Sequence, residues 1–193
     1  VTREDILRAA AHIFQKKGYH ATSMQDIAEA VELQKGSLYH HVSGKQEILL
    51  NLLNEALDMI VDHLQSVLAE EASPSQKLRQ AMRTYLAFLT ENPSLSAVLL
   101  LEHRSLEPAL KKLHIPRRDR VDAIWRDIIL EGIAAGEFRT PNPALTAKAL
   151  LGVLNWTITW YREDGPLAPY EIADQFSDLF LEGLVVERSP ESV

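Results

Sequence analysis

Lys35, Ser37, Tyr39 and His41 stand in one short stretch that also holds two aliphatic residues four apart, Leu38 and Val42. On a helix the aliphatic pair packs inward, and an ammonium, a hydroxyl, a phenol and an imidazole are left outside. That set makes a poor core, but it suits phosphate oxygens and base edges. Covalent chemistry has no comparable support. The chain holds no G-x-S-x-G, no phosphate-binding glycine loop and no H-E-x-x-H. His40 and His41 are adjacent, so on a helix they point about 100° apart and form no paired metal site. The reading is of a binding protein with no catalytic residues, no metal and no cofactor.

Two short helices joined by a tight turn must present these groups. Ser23 caps the first, with Asp26 three residues on in a capping box, and Ile27, Ala28 and Val31 make its apolar stripe. Glu32, Leu33 and Gln34 form the turn, and Lys35-Gly36-Ser37 opens the second helix with backbone that can approach a partner closely. Ahead of both lies a bracing helix from about Thr2 to Lys17. Thr2 and Asp5 cap it, Ile6, Leu7, Ala10, Ile13 and Phe14 are inward, and Gly18 stops it. Behind them Ser43-Gly44 breaks the chain. Lys45 begins a helix of about seven turns, whose first N–H groups and ammonium are suited to anchor a phosphate.

The run G-S-L-Y-H-H-V-S-G-K, preceded by T-S-M-Q-D-I-A, closely resembles the DNA-binding signature of the TetR family of transcriptional regulators. The resemblance implies that Gln25, Lys35, Gly36, Ser37, Tyr39, His41 and Lys45 meet DNA. Lys35 would read a guanine edge, and Tyr39 would bond a phosphate or pack on a thymine methyl. It also implies a homodimer whose recognition helices enter successive major grooves of a near-palindromic operator.

The 193 residues suit one or two small domains, and 46% hydrophobic with 24% charged residues describes an ordinary soluble protein. There is no cysteine, which excludes a disulfide framework and fits a cytoplasmic protein. The charged opening V-T-R-E-D-I-L-R does not read as a signal peptide, and no apolar run reaches membrane-spanning length. A first residue of Val leaves room for a short basic arm ahead of it. The net charge of −7 opposes a simple basic DNA binder. However, acids and bases balance in the first fifty residues, and many acids, such as Glu55, Asp58, Glu70 and Glu71, lie beyond them.

Every later segment is helical in pattern. Helices are expected over 45–71, from Ser75 to Asn92, from Leu95 to about Ser105, from Pro108 to an interruption at His114-Ile115-Pro116, over 117–135, from Ala144 to about Tyr161, and from Pro169 onward through Leu184. The Leu95–Ser105 piece, apolar on most sides, reads as buried at the centre of the larger domain. The fold class is all-α: an N-terminal three-helix helix-turn-helix domain over residues 1–44, a larger C-terminal helical ligand-binding and dimerisation domain over 45–188, and a tail over 189–193. The family pairs its last two long helices across the dimer. Here the surplus apolar positions of 144–160 read as that surface, the other reading being a helix fully buried in one subunit.

A small-molecule site in the C-terminal domain would draw on Tyr85, Phe88, His103, Arg104, Trp125, Asn155, Trp156 and Trp160. Aromatic residues at helical spacing serve a core as readily as a ligand. Asn155 and His103 are more telling, because a buried polar group needs a partner, whether a ligand or a side chain. The segments E-H-R-S-L, E-G-I-A-A-G-E-F-R and L-N-W-T-I-T-W-Y-R-E-D-G-P-L resemble the subgroup that controls fatty-acid, aromatic or steroid degradation. That resemblance implies an acyl-coenzyme A effector, with Arg104, Arg117, Arg118 and Arg162 as phosphate partners. The function so implied is a homodimeric repressor released from its operator by a small molecule. The competing reading is a ligand-binding or protein-interaction module whose helix-turn-helix does not bind DNA.

Overall fold

A computed structural model describes residues 1–140 and 142–184. Among these it contains nine α-helices and no strand: α1 Arg3–Lys17, α2 Met24–Ala30, α3 Lys35–Leu38, α4 Lys45–Leu68, α5 Pro74–Glu91, α6 Pro93–Ala97, α7 Pro108–Ala134, α8 Pro143–Trp156 and α9 Pro169–Leu184. The tail over 189–193, the end of the 45–188 span and the Leu184 side chain lie outside the described residues. The described chain divides into two compact units, 1–59 with 91–119, and 60–90 with 120 onward. This differs from a cut after residue 44. Half of α4, all of α6 and the start of α7 group with the head.

In the first unit the caps form as their residue types dictate. Thr2 accepts from the Asp5 N–H while the Asp5 carboxylate accepts from the Thr2 N–H, and Ser23 and Asp26 repeat the arrangement. Ile6, Ala10, Phe14, Ile27, Ala28, Leu38, Val42, Ile48 and Leu49 are buried. Gly18 ends α1 at φ 82°, a conformation that suits a residue without Cβ.

The 95–105 region is not the buried helix its composition suggests. Pro93 starts α6, Val98–Glu102 widens to a π-helical turn and His103–Ser105 tightens to a 3₁₀ turn. The wide turn changes the angular spacing of successive side chains. Val98 and Leu99 are buried, but Leu101 is 61% exposed. The segment packs on α1.

Pro116 does not interrupt α7 either, although its ring removes one intrahelical donor. Near it, His114 Nδ1 lies 3.3 Å from Asn54 Oδ1 and Arg117 bonds Asp58 at 3.1 Å, which ties both sides of the proline to α4.

The second unit buries Leu78, Ala81, Met82, Tyr85 and Leu86 of α5, Val121, Ile124, Trp125, Ile128 and Ile129 of α7, Ala147, Leu150 and Leu154 of α8, and Ile172 and Ala173 of α9. Arg83 clamps Asp174 through two hydrogen bonds of 2.5 and 2.6 Å, fixing α5 to α9. The helix over 144–161 ends early, at Trp156. The Thr157 hydroxyl donates to the Leu154 carbonyl at 2.7 Å, and a 3₁₀ turn follows.

Two outcomes follow from this packing. A Cβ on Gly132 would lie 2.0 Å from Cδ2 of the buried Phe138 ring. Gly132→Ala should therefore cost about 1–3 kcal/mol, read as a lower urea midpoint at unchanged slope. Glu47 accepts from the Ser43 hydroxyl and N–H and from Arg3, and these bonds, in that order, lower its carboxyl from 4.5 to about 2. A carboxyl lowered by folding stabilises above its unfolded pKa, and that contribution fades as pH falls toward the folded value. The stability gap between wild type and Glu47→Gln should hold steady above about pH 4.5 and close between there and pH 2.

Candidate nucleic-acid interface and ligand site

α2 and α3 are joined by a turn in which Glu32 takes φ 55°, and the Leu33 N–H donates to the Ala28 carbonyl at 2.9 Å. α3 proper is one turn long, shorter than its pattern suggests. Its hydrogen bonding continues, however, because the His41 and Val42 N–H groups both reach the Leu38 carbonyl. Leu38 and Val42 are buried beneath it, while Lys35, Gly36, His40 and His41 are exposed and Tyr39 is 46% exposed. Among the described residues, Lys35, Tyr39 and His41 have no side-chain hydrogen bond or ion pair. A Cβ on Gly36 would meet no atom within 4 Å, so packing inside the subunit places no demand on that glycine. Ser37 is half-buried. Gln25 is exposed, with its amide donating to Glu29 at 2.8 Å.

Lys45 corrects the sequence reading. Its ammonium is not free for a phosphate. It donates to the carbonyls of Tyr19 and Thr22 at 2.7 and 2.6 Å and lies 4.3 Å from the Tyr19 ring centroid. Burial pulls its pKa down, with Asp26 and Glu102 opposing. The α1–α2 link offers two carbonyls without helical partners, and a lysine satisfies them better than water can in a half-buried hollow.

Three of the head's acids are engaged as well. Asp26 is held by Lys17 and caps α2, and Asp5 caps α1. Glu47 binds Ser43 and Arg3. Sequence reasoning missed Glu47, although Ser43 four residues earlier was the available signal. It also missed Glu102, which accepts from the Tyr19 N–H across 83 residues, a pairing that no local pattern shows.

Of the eight candidate ligand residues, His103 and Arg104 belong to the first unit and the other six to the second. His103 is half-buried, and burial lowers its pKa. Arg104 is exposed. Phe88 is buried, with His63 edge-on to its ring. Trp156 is 66% and Trp160 45% exposed, so this pair lines no interior; Trp160 stands edge-on to Phe176. Of the four arginines expected to hold phosphates, Arg117, Arg118 and Arg162 each pair with an aspartate on the surface.

Three residues do come together. The Tyr85 hydroxyl donates to Asn155 Oδ1 at 2.7 Å, and the Tyr85 and Trp125 rings meet edge-on at 5.7 Å. Tyr85 and Trp125 are buried and Asn155 is half-buried. Burial, with Asp122 adding, pushes the Tyr85 phenol above its ordinary value, so it stays a neutral donor. A groove of about 870 Å³ lies elsewhere, in the first unit. It is lined by residues of α1, the end of α2, α4 and the start of α6, among them Arg8, His12, Leu52, Glu55 and Leu95, and by none of the eight candidates.

With this geometry in place, likeness to known proteins is informative. Residues 6–52 match the bacterial regulatory proteins of the tetR family, and residues 71–184 match the tetracyclin repressor-like C-terminal domain. The repressor KstR2 of Mycolicibacterium smegmatis is 26% identical over 184 residues, covering 94% of this chain and 90% of that protein. The crystal structure of the TetR family regulator PfmR from Thermus thermophilus superposes with a TM-score of 0.86 at 38% identity, covering 95% of this chain and 99% of that one. AibR, solved in complex with isovaleryl coenzyme A and operator DNA, superposes with a TM-score of 0.85 at 28% identity, covering 92% and 96%. The helix-turn-helix and the helical body behind it are matched by separate families that name the same regulators, and this chain belongs to the TetR family of transcriptional regulators.

Proposed function

We propose that this regulator is a homodimeric repressor that grips a near-palindromic operator with α2 and α3 of each subunit, and that an acyl-coenzyme A thioester bound in the second unit releases it. One observation carries the DNA reading. The outer face of α3 and of the turn that follows it offers Lys35, Tyr39 and His41 with no partner among the described residues, over a buried Leu38 and Val42. Such groups gain on meeting phosphates and base edges and have no task inside the subunit. The acidic net charge does not oppose this, because the carboxylates of Asp5, Asp26 and Glu47 are already engaged within the head. Short-range donors can then act through a few contacts.

The dimer reading rests on α8. Leu145, Ala149, Gly152 and Trp156 recur at helical spacing on its exposed side, and the Gly152 Cβ position is open. Leu179 and Gly183 are exposed on α9. Apolar and small residues on two helix faces are what a four-helix seam between subunits needs. The thioester reading is supported by the likeness to AibR, which was solved with isovaleryl coenzyme A. α4 starts at the end of the helix-turn-helix and runs into the second unit, so a ligand that binds two states of that unit unequally has one helix through which to shift the heads.

Two measurements test this. Tyr39→Ala should weaken binding to duplex DNA from upstream of the protein's own gene by roughly 1–3 kcal/mol, as followed by fluorescence anisotropy. Lys45→Met should instead lower the melting temperature of the head. Equal affinity of Tyr39→Ala and wild type would remove α3 from the interface. Separately, Trp156→Glu should convert the dimer to a monomer in light scattering while helical circular dichroism is retained, and an unchanged mass would exclude the α8 seam.

A further inference from the structure

The second unit contains a donor with nothing to donate to. Trp125 is fully buried, and its indole N–H has no acceptor among the described residues. A buried N–H left unpaired costs about 1–3 kcal/mol, and natural cores seldom carry one without a reason. Its neighbours do not relieve it. The Tyr85 and Trp125 rings meet edge to face, and Tyr85 spends its hydroxyl proton on Asn155 Oδ1. That bond sets the Asn155 carboxamide with its oxygen toward Tyr85 and leaves its NH₂ group to donate. Asn155 is half-buried, so this cluster is within reach of solvent on that side.

The Trp125 indole is therefore a buried donor that still lacks an acceptor. A ligand group that completes it must accept, which excludes ammonium and guanidinium groups. A carboxylate buried beside the indole would need a counter-charge to offset its desolvation, whereas a neutral carbonyl carries no such penalty.

Resting on the thioester reading above, we propose that the effector is recognised through a neutral carbonyl oxygen, received by the Trp125 indole N–H with the Asn155 carboxamide as second donor. The regulator thereby distinguishes an activated acyl group from the free acid. Tyr85 holds Asn155 in the donating orientation and is a positioning residue.

The test is isothermal titration of the full chain with three probes of one chain length: octanoyl-coenzyme A, the S-octyl-coenzyme A thioether that lacks the carbonyl, and octanoate. The expected result is that the thioester binds roughly tenfold or more tightly than the thioether, that octanoate does not compete, and that Trp125→Phe weakens the thioester alone. The two coenzyme A probes are compared on the wild-type protein, so the result stands even if the variant fails to fold. Equal affinity for thioester and thioether, or competition by octanoate at the same concentration, overturns the carbonyl inference and leaves the thioester reading in place. If no acyl-coenzyme A from two to sixteen carbons binds, both fall.

Discussion

The head depends on where one ammonium group sits. Lys45 reaches back from the first turn of α4 into the loop between α1 and α2, where it bonds two carbonyls and covers the Tyr19 ring. Tyr19 is in turn packed edge-on by Phe14 and His20, and its N–H is held by Glu102. The start of α4, the α1–α2 link and the turns after α6 thus share one polar knot. α3 is a single turn with no side-chain cap of its own. It owes its position to α2 and to the buried Leu38 and Val42. A recognition surface on so short a helix is only as well aimed as the frame behind it.

Electrostatics explains how an acidic chain can keep a face for DNA. The carboxylates of Asp5, Asp26 and Glu47 each accept from backbone or hydroxyl donors at a helix start. Each also holds a cation, Arg8, Lys17 or Arg3. Charge engaged in this way projects little field outward. Lys35 has no such partner among the described residues. Net charge counts all of these groups equally and therefore misstates what a phosphate would meet.

The sequence revealed most where the rules are local. Thr2 with Asp5, Ser23 with Asp26, Gly18 and the apolar periodicity of α4 and α5 stand where capping and spacing put them. It misled where a distant partner decides. Lys45 looked free because the carbonyls it satisfies lie 23 and 26 residues away. Leu101 looked buried because a π-helical turn cannot be read from V-L-L-L-E. Pro116 looked like a break because its supports, Asn54 and Asp58, are on another helix. For the ligand site, composition identified Tyr85, Trp125 and Asn155 but could not separate them from Trp156 and Trp160, which share their chemistry and face outward.

The central claim is that the exposed side of α3 is kept for a groove of duplex DNA. Amide hydrogen exchange with and without duplex from upstream of the gene tests it most directly. Protection on binding should concentrate in residues 34–42 and at the start of α2, and should fade as salt is raised. Binding that protects other segments and leaves 34–42 exchanging as in the free protein would contradict the account.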